Sequence, residues 1–132
     1  MTTTRFEAIV LLLAGLFFLL PGIWALVAPH SFYDQLATFP PYNRHLLHDI
    51  GAFQIGIGAA LLLALWSRDG RFVVFAGAAA GAIAHFISHI VDHDLGGKDT
   101  DVFVFGALAV LLVVAAALRW TGMQRGGSET GT

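Results

Sequence analysis

Four long stretches of the chain carry almost nothing polar, and short polar breaks separate them. Ala8 to Ala28, Ile50 to Trp66 and Val102 to Leu118 contain no charged residue, and the ionisable side chains of Phe72 to Val91 are His85 and His89. About 20 apolar residues in a helix cross the hydrocarbon core of a bilayer. Lipid offers no hydrogen-bond partner to a bare backbone, so each run is expected to be helical. The pattern predicts an all-α integral membrane four-helix bundle, up-down-up-down, with helices at about 7–28, 44–66, 71–93 and 101–120 and a transmembrane domain over 1–121.

The breaks are equally legible. Pro29 to Asn43, containing Pro40-Pro41, is a long connection rich in Phe, Tyr and Pro, suited to folding over the mouth of the bundle as a lid or cap. Ser67 to Arg71 is a tight polar turn, and Asp92 to Asp101 is an acidic, glycine-containing one. The stretch 122–132 is polar and Gly-rich and reads as a disordered tail. The first apolar run exceeds a signal-peptide core and lacks a clear cleavage site, so it is expected to be retained. Arg5, Arg68, Arg71, Arg119 and Arg125 fall on one side of the bundle, Arg44 and Lys98 on the other. The positive-inside rule then predicts N-in and C-in, with the tail cytoplasmic. Pro21-Gly22 is expected to kink the first helix. Trp24, Trp66, Trp120, Tyr33 and Tyr42 lie near the expected interfaces, as aromatic belts do.

Composition agrees with this reading. Apolar residues make up 57% of the 132 positions, charged residues only 12%, and the mean hydropathy is +0.75. With a net charge of -2 and no large basic patch, nucleic acid is not expected as a partner. Absence of cysteine excludes disulfides, thiolate ligands and thiol catalysis. No Gly-x-Ser-x-Gly, phosphate loop or dinucleotide fingerprint is present.

The candidate chemistry is imidazole. His30, His45, His48, His85, His89 and His93 all belong to the end of the bundle that also holds Asp34, Asp49, Asp92, Asp94, Asp99 and Asp101. On the second helix His45, His48 and Asp49 share a face that continues through Ala52, Gly56 and Ala60. On the third, Gly77, Gly81, His85, His89 and His93 recur every fourth residue, with Asp92 at the edge. Small residues permit close helix approach in membranes, so Gly56, Gly77 and Gly81 are expected to pack. In an antiparallel hairpin centred on Asp69, His45 lies level with His93, Asp49 with His89, and Phe53 and Gln54 with His85.

Convergent imidazoles suit a transition metal such as zinc, copper or iron, ahead of haem. His45, His85, His89 and His93 are the expected donors, with Asp49, Asp92, His48 and Gln54 as further ligands or as groups orienting the imidazoles. The expected function is metal or metal-cofactor binding, serving redox chemistry or metal handling. One alternative is a non-catalytic membrane subunit whose histidines hold helices or a protein partner together; another is a quinone-linked or proton-coupled membrane enzyme. The bilayer itself, a membrane protein partner or a second copy are the expected partners.

Asn43, His45, Asp49 and Gly51 follow the pattern Asn-x-His, then Asp-x-Gly, at the start of the second helix. In this, and in its four-span layout, the chain resembles the DoxX-like and related small bacterial four-helix membrane proteins of unknown function. The resemblance implies a multi-pass protein of the bacterial inner (plasma) membrane and no particular activity.

Overall fold

A computed structural model describes residues 2–129, with side chains described from 4 to 126. The described residues form five α-helices and no strand: α1 (Thr2–Val27), α2 (Pro29–Gln35), α3 (Arg44–Leu63), α4 (Arg71–Val91) and α5 (Asp101–Glu129). A 3₁₀ turn, His93–Leu95, joins the last two. All but α2 are long and apolar enough to cross a membrane, which makes the chain a multi-pass membrane protein.

Local chemistry sets the boundaries. Pro29 opens α2 from a first-turn position, where its missing N–H costs nothing. Half of the expected lid is therefore helical. Asn43 caps α3, its side-chain oxygen accepting from the Leu46 N–H at 3.1 Å. α1 runs through Pro21 without interruption. α5 does not stop near residue 120; it continues to Glu129, so the expected disordered tail is helical as far as 129. Nothing apolar is needed to prolong a helix whose backbone bonds are already propagating. The remainder of that expectation, 130–132, lies outside the described residues.

The four long helices form two tight antiparallel pairs, α1 with α3 and α4 with α5. α1 also meets α5, whereas α3 and α4 scarcely touch. The α1–α3 seam is made by glycines seven residues apart on each helix. A Cβ on Gly58 would lie 2.7 Å from the Leu19 nitrogen and 2.8 Å from the Gly15 carbonyl oxygen. One on Gly51 would lie 2.8 Å from the Gly22 oxygen, and one on Gly22 would lie 2.9 Å from the Gly51 oxygen. Backbone meets backbone at both crossings, which only residues without a side chain allow.

The expected packing glycines behave otherwise. A Cβ on Gly56, Gly77 or Gly81 would meet nothing within 4 Å. Within the chain these three residues seal no helix contact, because the seam of α3 faces α1 rather than α4.

The main core joins Val10, Leu11 and Ala14 to Leu61, Phe75 and Leu112, towards the end of the bundle that carries Arg71. There the Arg71 side chain is buried and makes three hydrogen bonds. It donates to Glu7 Oε2 at 3.1 Å, to the Ala64 carbonyl at 3.1 Å and to the Leu65 carbonyl at 3.0 Å. It neutralises a buried carboxylate on α1 and satisfies carbonyls at the end of α3, so one residue ties α4 to the first pair. At the opposite, histidine-bearing end, Phe32 of α2 packs with Ala25 and Leu47, backed by Trp24 and Tyr42.

Candidate functional site

Along the open side of the bundle, between α3 and α4, runs a cavity of about 580 Å³. α3 contributes Ile50, Phe53, Gln54 and Ile57; α4 contributes Val74, Gly77, Gly81 and His85. Phe18 of α1 and Phe105 of α5 complete it. Phe53 and Val73, at its edges, are 75% and 69% exposed, so the groove opens sideways, where lipid lies around a membrane-spanning bundle. Gln54 and His85 are its polar side chains. Gln54 follows Arg44, the first residue of α3, by about 15 Å of helix rise, and His85 precedes Val91, the last of α4, by about 9 Å. By that reckoning the two differ in depth by about 6 Å, roughly one helical turn. Gln54 Oε1 is buried and has no hydrogen-bond partner. A buried acceptor left unpaired costs about 1–3 kcal/mol.

His85 does not stand alone. Its ring lies 4.7 Å, edge to face, from His89 and 4.3 Å from Phe105. His89 in turn stacks on Phe105 at 4.5 Å and meets the edge of Phe39 at 5.9 Å. Its Nδ1 is 4.0 Å from Asp101 Oδ2, both side chains being less than one fifth exposed. Asp101 is the first residue of α5, and the same oxygen accepts from the Lys98 N–H at 2.9 Å, which fixes the turn. His89 also lines a second, polar pocket of about 180 Å³ with His93, Asp94, Lys98 and Asp99. It thus separates that pocket from the residues lining the groove.

The structure places all six histidines at one end of the bundle but does not bring the two expected stripes together. His45 turns to Asp49 on its own helix, at 3.5 Å, with the imidazole 88% exposed. Asp49 therefore does not reach His89, and Asp101 is the carboxylate beside that ring. His93 has left α4 for the 3₁₀ turn, where it faces Asp94 at 3.5 Å and Asp99 at 3.7 Å. Asp92 ends α4 and is exposed. His48 Nε2 is buried without a partner, away from the groove lining. His30 stacks on Tyr42 at 4.0 Å. The level-by-level match of α3 with α4 fails because it assumes that helices joined by a short turn must face each other along their length. Among the described residues no group of three or more His, Asp or Glu is arranged to hold a metal ion.

Asp101, Phe39, Phe105 and Lys98 were not among the expected site residues. Asp101 and Phe105 are four apart and so share a face of α5, as His85 and His89 do on α4. That spacing was readable; that these two faces meet was not. Comparison with protein-family models, with curated proteins and with solved structures gives no match.

Proposed function

We propose that this protein binds a lipophilic molecule with a flat, hydrogen-bonding head, of the quinone class, in the groove between α3 and α4. His85 and Gln54 hold the head, and the apolar lining takes the tail. The observation that carries this reading is the groove itself: about 580 Å³, open towards lipid, apolar except for two polar side chains, one of them with an unpaired buried acceptor. Small-molecule sites of roughly 300–1,000 Å³ have this character, with mostly apolar walls and few polar groups that set orientation. A hydroquinone hydroxyl donates to Gln54 Oε1, whereas a quinone carbonyl, which only accepts, bonds the Gln54 amide N–H or the imidazole N–H instead. The test is equilibrium binding of a short-chain benzoquinone and its hydroquinone to the purified protein in nanodiscs, against an alkylbenzene of equal length. The quinone pair should bind more tightly than the hydrocarbon, and His85→Ala or Gln54→Leu should each weaken it about 3- to 10-fold, the worth of one net hydrogen bond. Equal binding of quinone and hydrocarbon, unchanged in both variants, would mean that the groove takes only lipid tails.

A second reading, a zinc, copper or iron ion, keeps one observation in its favour. The His85 and His89 rings lie side by side, with Asp101 next to His89. Two imidazoles need at least one further donor, and Asp101 is the nearest carboxylate. Elemental analysis of purified protein decides it: a stoichiometric metal lost on His85→Ala with His89→Ala supports the ion, and its absence from the unaltered protein rejects it.

A further inference from the structure

The connection between α2 and α3 and the turn between α4 and α5 interlock above His89. Lys98 Nζ donates to the Gln35 carbonyl at 2.7 Å. Gly96, at φ +131°, comes so close to the connection that a Cβ there would lie 2.6 Å from the Thr38 oxygen. Gly97, at φ +88°, lies under the Phe39 ring, with its Cβ position 3.0 Å from Cζ. Phe39 itself meets the His89 ring edge to face, 5.9 Å between centroids. A Cβ at Gly96 would block this approach and one at Gly97 would crowd the Phe39 ring, and both backbone conformations favour glycine. The two segments are thus shaped to each other, yet the direct hydrogen bond between them comes from a flexible, exposed lysine.

We propose that residues 35–42 form a lid, latched by Lys98 at the Gln35 carbonyl, that shields His89 and the polar end of the groove from water at the histidine-bearing end. With the lid closed, a ligand reaches His85 sideways, from the bilayer. Release of the latch lifts Phe39 off His89 and opens the polar end to solution. The role in ligand entry rests on the groove-binding reading; the lid itself does not, and its test uses no ligand.

The test is carbethoxylation of histidine by diethyl pyrocarbonate on the intact protein in nanodiscs, with rates read residue by residue by mass spectrometry. His93, whose side chain is 60% exposed, is the internal control and His89, at 11%, the reporter. In the unaltered protein His89, at 11% exposure against 60%, should react about 5-fold more slowly than His93, in proportion to exposure. Lys98→Ala should raise the His89 rate several-fold with His93 unchanged, and Lys98→Arg, which keeps a donor on a long stem, should restore protection. Phe39→Ala should expose His89 irrespective of the latch. His89 equally protected in Lys98→Ala and in the unaltered protein would overturn the latch, and protection surviving Phe39→Ala would overturn the lid. Loss of quinone binding with a normal labelling pattern would instead count against the groove reading alone.

Discussion

Replacing Gly58 with alanine tests how the helices pair. The new Cβ would lie 2.7 Å from the Leu19 nitrogen and 2.8 Å from the Gly15 oxygen. Comfortable contacts of this kind are about 3.5–4.0 Å. Both obstructing atoms belong to the backbone, so no side chain can swing aside, and α1 and α3 must part by roughly 1 Å at the crossing. Overpacking of this kind costs about 1–3 kcal/mol. Alanine also favours helix over glycine by about 0.5–1 kcal/mol, which offsets part of the loss. Gly56→Ala supplies the control: two residues away on the same helix, it brings the same helix preference and meets nothing within 4 Å. The difference between the variants therefore isolates the crossing, and Gly58→Ala should be the less stable by about 1–3 kcal/mol. Reversible unfolding in mixed micelles of increasing SDS fraction, followed by far-UV circular dichroism, measures it. Equal stabilities, or Gly56→Ala the less stable of the two, would refute the α1–α3 seam and favour the packing of α3 on α4 that sequence spacing suggests.

Other outcomes follow from the same contacts. Glu7→Leu strands the buried Arg71 guanidinium and should cost about 3–5 kcal/mol, part of which returns when Arg71→Met is added; additive losses in the double-mutant cycle would show that the pair is not coupled. Gln54→Leu removes an unpaired buried acceptor and should raise stability by about 1 kcal/mol while weakening quinone binding, so a parallel fall in both would contradict the assigned role. Asn43→Ala should lower stability by about 1 kcal/mol through loss of the α3 cap, and helical content unchanged with no shift in unfolding midpoint would count against it.

Hydropathy made the spans legible because lipid imposes one requirement on every residue of a span. Expected ends and observed ends of the first three spans differ by a few residues, and the fourth runs on because helix continuation needs no apolar side chain. Partner choice is a different matter, since it depends on which faces meet. The polar stripes of α3 and α4 do not set the pairing; the decisive residues are Gly15, Gly22, Gly51 and Gly58, apolar residues in apolar runs. Their equal spacing on two antiparallel segments was a signal of the true seam. His85, His89 and Gln54 emerged from spacing; the structure sets His85 and Gln54 in the groove lining and His89 against the His85 ring. Asp49 did not, because its nearest imidazole is one turn away on its own helix. Two residues of the resembling motif have structural work that spacing alone did not reveal: Asn43 caps α3, and Gly51 admits the backbone of α1.

The division into two closed hairpins bears on how the chain enters a bilayer. The first hairpin carries its own glycine seam and can close while the rest is still being translated. Arg71, at the head of the second, then grips Glu7 and the last carbonyls of α3 as it arrives. The turn at Ser67–Gly70 is therefore the place where a break in the polypeptide leaves both hairpins whole, and fragments meeting there, made separately in one cell, are expected to reassemble and co-purify.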